Sequence, residues 1–122
     1  MKKIASGFLI LLLSTVAHAK ARYLNCPVKN PRTVRVPLDD VLIMQFPEKP
    51  EHSLAGKNAF DFKYIGSDIG IKSVKPNAKS NLFVYLGKKR CAFRLITVNS
   101  KSDDVVVVSY PKEKFVEVKY AD

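Results

Sequence analysis

The chain has 122 residues, with 21 lysines and arginines against 11 aspartates and glutamates, and its net charge at pH 7 is +10. This length allows one domain with its own core and leaves no room for a second. The excess of positive charge favours acidic partners, whether protein, lipid headgroup or polysaccharide, and carries no information about the fold.

Residues 1–19 have the pattern of an export signal. Two lysines at positions 2 and 3 precede a mostly apolar run over residues 4–16, and Ala17-His18-Ala19 provides the small residues that signal peptidase requires. We expect cleavage after Ala19 and a mature domain of residues 20–122. The alternative, a retained membrane anchor, is disfavoured because the apolar run is shorter than the roughly 20 residues of a spanning helix.

The mature domain alternates apolar and polar residues with a period of two and shows no helical stripe. Eight short strands are predicted, at residues 32–36, 41–46, 59–64, 69–74, 80–86, 91–95, 105–108 and 115–120. Prolines, glycines and small polar residues separate them. We therefore expect an all-β fold, a single antiparallel β-sandwich or partly open barrel of about eight short strands.

The clearest element is a hairpin over residues 80–95. Leu82 and Val84 share one face of the first arm, and Phe93 and Leu95 share one face of the second, so these four side chains are predicted to enter the core. Gly87 begins the connection between the arms, where we expect it to supply a positive φ.

Lys88, Lys89 and Arg90 follow this glycine and are the sharpest candidate for partner binding. One interpretation is a solvated hairpin tip, and the other is a site for an anionic partner. A nucleic-acid surface would need exposed aromatic residues among the cations, a part that Phe83 and Tyr85 could play. An exported protein rarely meets nucleic acid, so we expect none as a partner.

Cys26 and Cys91 both lie in the mature domain. An exported protein with an even number of cysteines usually pairs them. A bridge would close a loop of about 65 residues, for which the chain-entropy model gives roughly 4 kcal/mol. It would pin the N-terminal segment onto the strand that contains Cys91. Two free thiols are the alternative, because two cysteines alone are weak evidence of pairing.

The residues offer little for catalysis or metal binding. The mature domain has one histidine, His52, which we expect on the surface of a proline-rich loop. Its neighbour Ser53 would point to the opposite face of a strand, so the two do not form part of a triad. Turn chemistry accounts for the carboxylate pairs at 39–40 and 103–104. We expect no catalytic residue, no metal ligand and no cofactor, and hence no enzyme.

From residue 74 onward the sequence resembles a known family. Residues 74–76 are Val-Lys-Pro, residues 80–84 are Ser-Asn-Leu-Phe-Val, and residues 91–95 are Cys-Ala-Phe-Arg-Leu. In this order they are similar to the pattern of aliphatic-Lys-Pro, Thr/Ser-Asn-Leu and aromatic-x-Phe-x-Leu in the N-terminal domain of the TraK-like periplasmic subunits of type IV secretion and conjugation machines. Segments 32–34, 43–47 and 55–56 are also similar, so the resemblance covers about residues 32–98.

Two features depart from the family pattern: Cys91 stands where an aromatic residue is usual, and the chain has no tryptophan. Family members also carry a second β-sandwich domain, which binds a small lipoprotein and helps form the outer-membrane channel. The resemblance implies a periplasmic β-sandwich that packs against neighbouring envelope proteins, associated with an outer-membrane complex. Membrane association is expected only through those partners, and the channel role is not carried over.

Overall fold

A computed structural model describes residues 21–111, and over this range the chain forms nine strands. They are β1 (Ala21–Asn25), β2 (Arg32–Pro37), β3 (Val41–Gln45), β4 (His52–Ala55), β5 (Phe60–Ile65), β6 (Asp68–Ser73), β7 (Lys79–Leu86), β8 (Lys89–Val98) and β9 (Val105–Ser109). The predicted export signal and the predicted strand at 115–120 lie outside the described residues. The other predicted strands are present, and β1 and β4 are additional.

The nine strands form two mixed sheets. Sheet A has the order β1-β9-β3-β6-β5, and sheet B has the order β2-β8-β7-β4. The all-β prediction is confirmed. The purely antiparallel arrangement is wrong, because β1–β9, β3–β9 and β2–β8 are parallel pairs. Among the described strands each sheet ends in two edge strands, so the fold is not a closed barrel.

Parallel pairs occur because most consecutive strands belong to different sheets, so the neighbours within a sheet come from distant parts of the sequence. Consecutive strands lie in the same sheet only for β5–β6 and β7–β8, which are both antiparallel. The parallel pairs join strands that are far apart in the sequence. Alternation within a strand predicts which side chains share a face, but it carries no information about the direction of a distant partner.

One cluster of buried side chains draws on both sheets. Those of its members that lie in strands occupy alternate positions, as the period-two pattern predicts. Among its fully buried side chains are Leu42, Met44, Ile69, Ile71 and Val106 from sheet A and Val34, Val36, Leu82, Val84, Phe93 and Leu95 from sheet B. Phe93 contacts Phe46 edge to face, with 6.2 Å between the ring centroids. Burial of these apolar side chains is the main favourable term for folding.

The predicted hairpin is confirmed as β7–β8, with Leu82 opposite Phe93. The four side chains assigned to the core are fully buried. One detail of the turn prediction is wrong. Among the described residues Gly66 has a positive φ, of 58°, whereas Gly87 does not. A Cβ on Gly87 would lie 3.5 Å from the Glu48 carboxylate oxygens, which is an ordinary contact.

Candidate functional site

Lys88, Lys89 and Arg90 are all exposed, as the hairpin prediction requires. Lys88 lies in the turn, whereas Lys89 and Arg90 begin β8. The Arg90 guanidinium carbon lies 5.2 Å from the centroid of the Phe83 ring, on the outer face of sheet B. A cation at this distance from an aromatic face is attracted by the ring quadrupole. Arg90 therefore lies along the sheet surface, and partner binding by the three cations stays a prediction.

Cys26 and Cys91 form the predicted disulfide. Cys26 directly follows β1 of sheet A, and Cys91 lies in β8 of sheet B, so the bond joins the two sheets. Backbone hydrogen bonds hold the same segment on both sides. The Cys26 N–H donates to the Ser109 carbonyl, and the Ala92 N–H donates to the Pro27 carbonyl. A disulfide suggests an oxidising, exported environment.

His52 lies at the start of β4, so its placement in a loop was wrong, although it is exposed as expected. Register places His52 opposite Tyr85 and Ser53 opposite Val84, on opposite faces of the sheet. The Ser53 hydroxyl forms a hydrogen bond with the Tyr64 hydroxyl of β5. This contact joins the β4 edge of sheet B to the β5 edge of sheet A, and it gives Ser53 a structural partner.

The two carboxylate pairs behave differently. Asp39 has a φ of 60°, and the Asp40 carboxylate accepts a hydrogen bond from the Val41 N–H, so turn chemistry is confirmed there. Asp103 is only 7% exposed and accepts from the Arg22 guanidinium at 2.9 Å. Turn chemistry is therefore the wrong explanation for Asp103, because its carboxylate holds strands together.

Asp103 also covers the outer edge of β2. Its carboxylate accepts from the Arg35 N–H, and its own N–H donates to the Arg35 carbonyl, each at 2.9 Å. Arg22 of β1 donates to the Thr33 carbonyl on the same strand. Unpaired backbone groups of an edge strand attract other strands. These contacts satisfy such groups in β2 and leave that edge less open to pairing.

The outer face of sheet A is unusually apolar. Ile43 lies opposite Val105 on one side and Gly70 on the other, and Tyr23 lies opposite Val107. We define the apolar face by the side chains Tyr23, Val41, Ile43, Ile65, Val105 and Val107. Tyr23 is 74% exposed, and Ile65 is 61% exposed. Exposed apolar residues that form a contiguous group are typical of a protein contact surface.

A hollow of about 500 Å³ opens in this face beside Gly70. A Cβ on Gly70 would lie 3.7 Å from Ile43 Cδ1 and 3.8 Å from Val41 Cγ1. The missing side chain thus leaves the space between these two residues empty. The polar side chains that line the hollow are Asp61, Lys63 and Lys72. The hollow is therefore mostly apolar, with charges of both signs around it.

On sheet B, the surface at the end of β4 and the start of β7 is basic, in contrast to the apolar face of sheet A. Two adjoining hollows of about 450 and 430 Å³ share Lys57 and Lys79 in their walls. Lys75 lines the first, and Arg94 lines the second. We call the pair the basic hollow, defined by Lys57, Lys75, Lys79 and Arg94. These cations lie on three segments of the sequence, at 57, at 75 and 79, and at 94, so no local run of basic residues marks them.

Other chemistry is not evident in the described part of the chain. Within residues 21–111, no three side chains of histidine, cysteine, aspartate or glutamate lie together in a way that could hold a metal ion. The same residues contain no helix that could cross a membrane. The expectation that the protein is not an enzyme stays a prediction.

A scan against protein-family models finds no matching family, and a search of curated proteins finds no significant match. The resemblance to the TraK-like subunits therefore remains a prediction based on the sequence segments that suggest it.

Proposed function

We propose that the protein is an exported, periplasmic β-sandwich that serves as a structural or accessory subunit of a type IV secretion, conjugation or pilus-like envelope assembly. It acts by docking on other envelope proteins and catalyses no reaction. The shared core of the two sheets and the disulfide between them support a rigid exported domain. The resemblance of residues 32–98 supports the choice of assembly.

The single observation behind the docking role is the apolar face of sheet A. Tyr23 and Ile65 extend into solvent on a face where an isolated domain would gain by placing polar residues. Covering this face with a partner would remove apolar surface from water. In a subunit that is permanently part of an assembly, the partner covers such a face, so its apolar side chains are not exposed to water.

The charges near the apolar face favour a neutral partner surface. Asp61 lies opposite Lys72 on neighbouring strands, and Asp68 lies opposite Ile65 and Gln45. Charged groups of both signs therefore lie around the apolar side chains. We propose that the occupant is an apolar surface of another exported subunit, with a side chain of that subunit seated in the hollow beside Gly70.

The variant Val41→Glu tests this role. Val41 lies opposite Lys72, so a carboxylate there faces an ammonium and should leave the free energy of unfolding within about 0.5 kcal/mol of wild type. A partner would have to bury the new charge, so its affinity should fall by about tenfold or more. Val28→Glu is the control, because Val28 is similarly exposed but lies outside sheet A.

The measurement is size fractionation of native envelope extracts, with mass spectrometry of the proteins that co-fractionate. We expect wild type and Val28→Glu in a large complex that contains secretion, conjugation or pilus proteins, and Val41→Glu as a monomer. Wild-type protein that fractionates only as a monomer would reject the assembly role. Equal behaviour of the two glutamate variants would remove the apolar face from the proposal.

The second candidate is a stand-alone exported binding protein, an adhesin or an inhibitor, that takes an anionic partner. The basic hollow on sheet B and the exposed tip cations favour it. Such a protein would fractionate as a monomer in the same experiment, so the two candidates predict opposite results.

A further inference from the structure

The segment that follows β4 is held tightly against β7. The Ser80 hydroxyl is buried and accepts hydrogen bonds from the N–H groups of Gly56 and Lys57, each at 3.1 Å. A Cβ on Gly56 would lie only 2.7 Å from Asn81 Oδ1. A side chain at residue 56 would displace the end of the Asn81 side chain, so the glycine leaves room for the Asn81 amide. The result is that Lys57 stands beside the first residues of β7.

The other wall of the basic hollow is also fixed by hydrogen bonds. The Lys75 carbonyl accepts from the hydroxyls of Ser73 and Thr97, at 2.9 and 3.1 Å. The turn that follows contains Asn77 with a φ of 56°. The Thr97 N–H donates to the Ala78 carbonyl at 2.9 Å and ties the end of this turn to β8. Both walls are therefore built from ordered backbone.

The cations of the basic hollow are not neutralised within the described chain. Over residues 21–111, ion pairs are formed by Arg22 and Arg35, both with Asp103. Among the described residues, those that line the two hollows include no aspartate or glutamate. Like charges held together repel one another, and an anion placed between them reverses the sign of the interaction. All four side chains are exposed, so water screens part of this repulsion, and an anion between them would add an attraction that no described acidic residue supplies.

The donors present suit one kind of anion. Arg94 lies opposite Asn81 on the outer face of sheet B, so a guanidinium and an amide stand side by side. Guanidinium groups bind two oxygens of a phosphate or carboxylate at once, and lysines add positive charge with rotatable donors. Asn77 and Asn81 add amide N–H donors to the walls. A tetrahedral oxyanion, with several acceptor oxygens, can use donors that approach from several sides.

We propose that the basic hollow binds phosphate or sulfate groups, with one group in each of its two parts and Lys57 and Lys79 shared between them. The ligand is a phosphorylated or sulfated molecule, and free phosphate is its smallest representative. The site uses residues of sheet B and of the adjoining loops. It is separate from the apolar face, so it does not rest on the docking role.

The hairpin tip provides a matched control, since it holds three cations on the same sheet. The triple variant Lys57→Gln/Lys79→Gln/Arg94→Gln and the triple variant Lys88→Gln/Lys89→Gln/Arg90→Gln lower the net charge by the same amount. The tip is a poorer anion site because Glu48 and Tyr110 line the hollow beside it. If overall charge alone attracts phosphate, the two variants should therefore lose the same affinity for it. If the basic hollow is a specific site, the hollow variant should lose more affinity than the tip variant.

The experiment titrates inorganic phosphate into the isotope-labelled, oxidised domain and follows the backbone amide shifts by NMR. We expect shifts at Gly56, Lys57 and Ser80 and at the strand position of Arg94, with little change at residues 87–90. The hollow variant should lose about tenfold in affinity, and the tip variant less than about threefold. Thermal unfolding of both variants checks that the fold is retained, and the Val41→Glu variant should bind phosphate as wild type does.

A second arm uses vesicles with and without phosphatidic acid. Binding of free phosphate alone identifies a small soluble ligand, and binding of phosphatidic acid vesicles with the same variant dependence identifies a phosphorylated headgroup. Equal losses in the two triple variants would overturn the proposal, because overall charge would then explain the binding. It would also be overturned if neither probe shifts the amides of the hollow, or if polyglutamate binds there in preference to both.

Discussion

The carboxylate of Asp103 joins two strands that belong to different sheets. It accepts from Arg22 of β1 and from the backbone N–H of Arg35 in β2, and a second ion pair with Arg35 spans 3.6 Å. The side chain of Asp103 is 6% exposed, whereas the two arginine side chains are 30% and 47% exposed. Water therefore screens the arginine charges, and the part-buried hydrogen bonds contribute more to stability than the Coulomb attraction does.

Replacing Asp103 with alanine should lower the free energy of unfolding by about 1 to 2 kcal/mol, because the Arg35 N–H loses its acceptor in a part-buried hydrogen bond. Asp103→Asn keeps one carbonyl oxygen for that N–H and should destabilise less. Asp61→Ala is the control, since Asp61 is exposed, and it should change stability by less than about 0.5 kcal/mol. Urea denaturation of the three variants measures the differences. Similar values for Asp103→Ala and Asp61→Ala would contradict this account.

The β7–β8 hairpin has one face buried in the core and one face partly exposed to solvent. Leu82 and Phe93 are opposite each other and fully buried, whereas Phe83 is partly exposed on the outer face beneath Arg90. A slip of one residue in this pairing would exchange the two faces and expose the apolar set. The register is therefore set by the burial of one face.

Two phenylalanines of the hairpin offer a direct comparison. Phe93→Ala should cost roughly 3 to 5 kcal/mol, because it leaves a cavity in the core against Phe46. Phe83→Ala should cost only about 1 kcal/mol, since the ring is partly solvated and its contact with Arg90 is exposed. Thermal unfolding compares the two. If Phe83→Ala were the more damaging variant, the assignment of the faces would be inverted.

The small buried surface of the edge strands β1 and β4 explains why the sequence pattern did not predict them. Every residue of β4 is exposed or half-buried, and β1 buries Leu24 alone. A strand with one neighbour and little buried surface has no need of an alternating pattern. By contrast, β7 lies inside sheet B and alternates along its whole length. The edge strands β2 and β5 were nevertheless predicted, because they keep an alternating apolar pattern; a strand is missed when it buries little surface, not whenever it lies at an edge.

At the scale of the whole molecule, the disulfide and the Asp103 contacts link the two sheets at separate points. The Cys26–Cys91 bond spans a sequence separation of 65 residues and joins the end of β1 to β8. It thereby restricts the unfolded chain over most of the described range.

Reduction should lower the free energy of unfolding by at most about 4 kcal/mol, the chain-entropy value for a loop of this size. The double variant Cys26→Ala/Cys91→Ala should be destabilised and should no longer respond to reductant. Thermal unfolding with and without dithiothreitol measures both effects, and alkylation of the unreduced, denatured protein should label neither cysteine. An unfolding midpoint that is the same in both redox states would show that the bond contributes nothing.

The sequence by itself determined the all-β class, most strand positions and the inward face of the hairpin, because these depend on local alternation, and it favoured a Cys26–Cys91 bridge over two free thiols. Only the tertiary structure decided the parallel pairings, the role of Asp103, the apolar face and the basic hollow.

In β9 the run Val105-Val106-Val107-Val108 is apolar on both faces, so alternation alone cannot select the face that enters the core. The cations of the basic hollow lie on three segments, at 57, at 75 and 79, and at 94, which adjoin because strands β4, β7 and β8 are neighbours in one sheet. A pattern within one strand specifies faces, whereas sites made from several strands depend on which strands the shared core brings together.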